Sequence, residues 1–200
     1  ETIFESMKQG ISFIRRQGAM ESLIALAFGA TLLGVPVIVF LPVFARDVFE
    51  RGPEVYTLLL SLSGAGSIVG ALLVAAFGHG RHKGKVTLIG LMVLGLAIAG
   101  FAFFRNLVLS CVLLFIAGVA LIAVFALVTS LVQLITPDEM RGRVMSVYNV
   151  AFRGGMPIGS LATGSLTPLY GAPIVVGVAG VPLTAMGALF LFGNRKLASL

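Results

Sequence analysis

Residues 107–135 read LVLSCVLLFIAGVALIAVFALVTSLVQLI, twenty-nine positions without an Asp, Glu, Lys or Arg. At 1.5 Å per residue, a helix of that length covers about 43 Å, more than the roughly 30 Å of hydrocarbon in a bilayer, so it must tilt or protrude. Working outward, Ser22 to Ala45, Val55 to Gly78 and Val86 to Phe104 are equally free of charge, and between Val144 and Asn194 the only charged residue is Arg153. The 200 residues are 58% hydrophobic and 11% charged, with a mean hydropathy of +1.07, which does not suit a soluble surface. A secretory signal would show one short apolar stretch and then a polar chain, and this pattern excludes it. The expected fold is all-α and membrane-embedded, with six transmembrane spans at about 22–45, 55–78, 86–104, 107–135, 137–167 and 174–192.

The spans are separated by readable punctuation. Arg46-Asp47 and Glu50-Arg51-Gly52-Pro53-Glu54 form the first surface loop, and His79-Gly80-Arg81-His82-Lys83-Gly84-Lys85 forms a basic, glycine-broken second one. Thr136 as N-cap, Pro137 at the first helical position and Glu139 closing a capping box predict the start of the fifth span. Pro168, Gly171 and Pro173 predict its end near Thr167. The net charge of +6 lies in short loops, so the positive-inside rule accounts for it without nucleic acid. Placing the N-terminus in the cytoplasm puts ten Lys and Arg inside, from Lys8 to Lys196, against Arg46, Arg51 and Arg105 outside. Both termini are therefore expected to be cytoplasmic. The chain opens on Glu1 rather than Met, which points to processing or to a piece cut from a longer chain.

Three organisational units follow: residues 1–20, a bundle over 21–194, and a cytoplasmic tail over 195–200. In the first, Phe4, Met7, Ile11 and Ile14 recur at spacings of three and four among polar residues, predicting an amphipathic helix on the membrane surface or against another helix. Gly10 weakens that helix.

An internal repeat joins the spans. An offset of 89 residues superposes the first three on the last three and brings Gly66 and Gly70 onto Gly155 and Gly159. Small residues at this spacing let helices approach closely in lipid. Three crossings are an odd number, so the second triplet enters from the opposite side, giving two inverted three-helix repeats. Many secondary transporters are built this way.

Phe40-Leu-Pro-Val-Phe-Ala-Arg-Asp-Val-Phe49, Thr136-Pro-Asp-Glu-Met-Arg-Gly-Arg-Val-Met-Ser-Val-Tyr148 and Gly154-Gly-Met-Pro-Ile-Gly-Ser160 give the chain a further character. With the entry ending Phe13-Ile-Arg-Arg16, it resembles the C-terminal half of a major facilitator superfamily transporter, in the multidrug and siderophore exporter branch typified by enterobactin and macrolide exporters. The resemblance covers essentially the whole chain. It implies that an N-terminal six-helix half is the partner, that the first and fourth spans line a central cavity, that the second and fifth flank the other half, and that the third and sixth face lipid. It also implies gating contacts from the cytoplasmic loops, at Arg81, Gly84 and Lys85 and at Glu139, Arg141 and Arg143. Arg81 stands where the superfamily's loop motif usually has an Asp, which puts an acid latch there in doubt.

Arg153 is the leading chemical candidate, because an arginine near the centre of a bilayer costs roughly 2.5 to 3.5 kcal/mol and calls for a partner. It would meet an anionic substrate group or a carboxylate of the other half, or else snorkel to the interface. Asn149 shares its face at i−4, and Tyr148 and Phe152 form an adjacent i, i+4 pair. Tyr148, Asn149, Thr31, Thr129 and Gln133 join Arg153 as polar substrate-binding or cavity candidates, with Phe28 and Phe125 as an apolar wall. Hydroxyls in membrane helices also commonly bond their own backbone. No span interior offers a carboxylate to carry a proton, so proton coupling would depend on residues elsewhere. His79, His82 and Cys111 are too few and too scattered for a metal site, and no cofactor is expected. The sequence contains no H-E-x-x-H, G-x-S-x-G or P-loop, which argues against an enzyme. The expected function is efflux-type secondary transport of lipophilic or amphiphilic small molecules across a bacterial cytoplasmic membrane. The alternative is a six-span scaffold or regulator that transports nothing.

Overall fold

The computed structural model describes residues 3–78, 80 and 82–193. Among them the chain forms seven helices: α1 (Ile3–Arg16), α2 (Gly18–Val48), α3 (Pro53–Phe77), α4 (Lys83–Phe103), α5 (Leu107–Ile135), α6 (Asp138–Tyr170) and α7 (Ala172–Gly193). Helices α2 to α5 and α7 are long and apolar enough to cross a bilayer. With 33 residues α6 is longer than any of them, but it is diluted by its acidic and basic first turns, Arg153 and many small polar residues.

The solvent-side chemistry is inverted relative to a soluble protein. Phe77, Val108, Leu189 and Phe192 are each more than 70% exposed, and the outward faces of α3, α4 and α7 are almost wholly apolar. Such a surface is stable only against lipid or another apolar partner, and the candidate spanning elements are helices, which satisfy their own backbone except where a proline interrupts the ladder.

The packing repeats. Helix α3 lies along α5, and its counterpart α6 lies along α2; α4 packs on α5, and α7 packs on α2; α4 and α7 pack on each other. Each of these contacts thus has its equivalent in the other triplet. Glycine makes the two flanking contacts possible. A methyl group on Gly66 or Gly70 would overlap the backbone of Phe115 or Val119 in α5, and one on Gly155 or Gly159 would overlap the backbone of Phe28 or Leu32 in α2. The donor helices superpose at the expected offset of 89, whereas the partner residues pair at 87 (Phe28 with Phe115, Leu32 with Val119).

The local structure of α2 departs from a plain helix. It widens into π turns at Ala30–Gly34 and Phe44–Val48, each beside a proline, Pro36 or Pro42. Pro36 has no N–H to donate to the Leu32 carbonyl, and that carbonyl is the group resting against Gly159. A chain irregularity and an interhelical contact therefore share one atom.

Several expected boundaries are corrected. Thr136 does not cap α6: its hydroxyl bonds back to the Val132 carbonyl at 2.5 Å, Pro137 occupies the cap position, and no side chain closes a box with Glu139. Pro168 does not end α6, because a proline in the final turn leaves only one ladder bond unmade; Gly171, at φ 82°, ends it. The helices run past the expected spans: α2 covers Gly18–Val48 around the expected 22–45, and α7 starts at Ala172. Asn106 supplies a cap that sequence reasoning passed over, its side chain accepting from the Leu109 N–H at 3.0 Å.

Helix α1 packs against α6 and α2. Its buried face carries Gly10 and Ile14, with Met7 and Phe13 half-buried, while Ile11 is exposed. Gly10 sits against the Arg143 carbonyl and Val147, so the residue expected to weaken the helix is the one that docks it.

Candidate functional site

A groove of about 470 Å³ opens between α2, α5 and α6. Thr31 and Val35 line it from α2, Phe125 from α5, and Phe152, Arg153, Met156 and Pro157 from α6. Its walls are apolar, and Arg153 is the charged group on them. Among the described residues, Arg153 has no hydrogen bond or ion pair, and it is exposed on the face of this bundle. Pro157 adds a second polar feature: it cannot donate to the carbonyl of Arg153, four residues earlier, so one backbone acceptor in this wall lacks its ladder partner. Proline spacing was the available signal for this, and sequence reasoning did not use it.

Behind the groove, α5 and α6 are pinned by an aromatic and hydroxyl cluster. The rings of Phe125 and Phe152 meet edge to face at 4.7 Å, and Tyr148 stacks on Phe152 at 5.8 Å. Thr129 spends its single proton on the Phe125 carbonyl at 2.7 Å, so the Tyr148 phenol donates to the Thr129 oxygen, also at 2.7 Å. Tyr148 is buried, and it supports the wall rather than forming its surface. Removing the phenol by Tyr148→Phe is expected to cost about 0.6 to 1.7 kcal/mol of stability. A double-mutant cycle with Thr129→Val, read by unfolding in detergent, should return a coupling of that size.

The other candidates separate. Asn149 is exposed on the Arg153 side of α6 but does not line the groove. Thr31 does line it, yet its hydroxyl donates to its own helix, at the Ala27 and Phe28 carbonyls. Phe28 is half-buried beside Gly155 and acts as packing. Gln133 is exposed near the end of α5, away from the groove-lining residues. Thr87, Thr167 and Thr184 likewise bond carbonyls four residues back, the usual way for a hydroxyl to be satisfied without water.

At the loop end of the bundle, Gly84 is buried and Lys85 exposed; Arg81 and His79 lie outside the described residues. Arg141 pairs with Asp138 at 2.7 Å, both largely exposed, a contact of little energetic weight. Glu139 is exposed, and Arg143 donates to the Met140 sulfur at 3.8 Å. No group of three or more His, Cys, Asp or Glu side chains suited to a metal ion occurs among the described residues.

Residues 1–198 match the family model described as transmembrane secretion effector. The chain is 26% identical over 197 residues to the multidrug efflux pump Tap of Mycolicibacterium fortuitum, covering 98% of this chain and 47% of that protein. It is 27% identical over 161 residues to a staphyloferrin A transporter of Staphylococcus aureus, covering 78% of this chain and 39% of that protein. The chain thus spans less than half the length of these two relatives.

Proposed function

Because the chain belongs to the transmembrane secretion effector family of major facilitator transporters, we propose that it forms the C-terminal half of an exporter of lipophilic or amphiphilic small molecules. In this reading an N-terminal six-helix half completes the cavity, and rocking of the two halves exposes the groove to alternate sides of a bacterial cytoplasmic membrane. The observation that carries the proposal is the apolar groove between α2, α5 and α6 with Arg153, whose side chain has no partner among the described residues, in its wall. An apolar surface with few polar groups binds greasy cargo by burial, and one fixed cation selects or orients an anionic group on it. The same guanidinium is available to a carboxylate of the other half when the cavity empties. The names of the relatives, a multidrug efflux pump and a siderophore transporter, support a small-molecule cargo. The loop charges favour cytoplasmic termini.

The test is a vesicle assay on the full-length protein with a panel of fluorescent lipophilic dyes, run with and without an imposed proton gradient. Gradient-dependent movement of at least one dye is expected. Movement that ignores the gradient would leave export standing and remove proton coupling, whereas no movement across the panel would point to the non-transporting scaffold.

A further inference from the structure

A second cavity, of about 300 Å³, lies where α3, α4 and α5 meet, with Gly78, Gly80 and His82 at its edge. Leu73, Phe77, Val86, Ala123 and Leu127 make an apolar cleft, and His82 and Lys83 stand at its mouth. Lys83 is half-buried, and its ammonium donates to the Ser130 hydroxyl of α5 at 3.3 Å. Among the described residues it has no carboxylate partner. An ammonium held by a neutral hydroxyl at the polar end of an apolar cleft is the complement of an amphiphile with a fatty tail and an anionic head.

We propose that this cleft is a binding site for an anionic phospholipid of the surrounding leaflet, with an acyl chain along Leu73, Phe77 and Leu127 and the headgroup phosphate on Lys83. The flanking face of α4 is exposed and apolar at Val86, Ile89 and Val93, so the cleft opens along α4 onto the bilayer and needs no aqueous route. Ser130 fixes the ammonium from a neighbouring helix, so a bound headgroup ties α4 to α5. This inference requires only that the bundle sit in a membrane, and it is independent of what the transporter carries.

Native mass spectrometry of the full-length protein in detergent, with phosphatidylglycerol or phosphatidylcholine of identical chains, tests it. Retention of phosphatidylglycerol over phosphatidylcholine by roughly fivefold or more is expected, from one well-placed lysine. Lys83→Gln should abolish the preference, Lys83→Arg should keep it, and Lys85→Gln, an equal loss of surface charge, should change it little. Ala123→Trp should fill the cleft and reduce retention of both lipids. The proposal is overturned if wild type shows no headgroup preference, if Lys85→Gln acts as strongly as Lys83→Gln, or if millimolar inorganic phosphate displaces the lipid. Should Lys83→Gln fail to fold, the wild-type preference and the Ala123→Trp result decide alone. Transport can fail in the dye assay while this selectivity persists, so the two proposals are separable.

Discussion

Replacing Gly155 with Ala is expected to destabilise the bundle by about 1–3 kcal/mol, while the same change at the adjacent Gly154 costs nothing. The physical difference is local. A methyl on Gly155 meets the Thr31 hydroxyl, the Leu32 nitrogen and the Phe28 carbonyl, whereas one on Gly154 meets open space. Helix propensity alone would make both substitutions favourable, so a loss at one and not at its neighbour isolates the interhelical contact. Gly159→Leu should be worse, because it presses on the Leu32 carbonyl and Pro36, in the stretch where α2 is already widened. Gly66→Leu and Gly70→Leu should repeat the result against Phe115 and Val119. Thermal unfolding in detergent, read by fluorescence size-exclusion chromatography, gives the ranking. Equal tolerance at Gly154 and Gly155 would remove glycine contact as the cement of the repeat.

The second large effect concerns transport. Arg153→Leu is expected to lower transport by the full-length protein at least tenfold at unchanged membrane abundance, and Arg153→Lys to retain part of it. The reason is electrostatic. A cation kept in a bundle at a cost of roughly 2.5 to 3.5 kcal/mol must gain it back from a group that is not found among the described residues. Leucine removes both the cost and the gain, so the protein should be as stable as wild type or more so, and the defect should appear in transport alone. Lysine keeps the charge but loses the planar fork that engages a carboxylate in two places. Normal transport by both variants would make Arg153 a helix anchor.

These two effects mark how far the sequence reached. Charge-free runs pointed to the five helices that are long and apolar enough to cross a bilayer, because a bilayer forbids charge over a fixed length, and matched glycines revealed the repeat because close backbone approach admits no other side chain. Both are constraints on residue type, and residue type is what a sequence records. The π turns of α2 were not legible: Pro36 and Pro42 reveal lost hydrogen bonds but not whether the helix kinks, breaks or widens in response. The capping box at Thr136 failed for a similar reason, since a threonine between two helices can serve the end of one or the start of the next, and the nearer Val132 carbonyl won. At the groove, Arg153 and Phe125 were legible as a charge and a ring at membrane depth. Phe152 entered only as a neighbour of Tyr148. The supporting position of Tyr148 behind the wall depends on the rotation of α6 against α5, which no periodicity of one helix supplies.

Accessibility at Met156 tests the central claim most directly. This residue is 44% exposed and lines the groove beside Arg153 and Pro157, whereas Val181 is 60% exposed on the apolar outer face of α7. Single cysteines at these two positions, in a background with Cys111 replaced by Ser, would be treated with a membrane-impermeant maleimide in right-side-out and inverted vesicles. The account predicts that position 156 is labelled from both sides and protected by a dye shown to be transported, while position 181 is labelled from neither. Position 156 behaving like position 181, or reacting from one side only under all conditions, would contradict an alternately exposed groove.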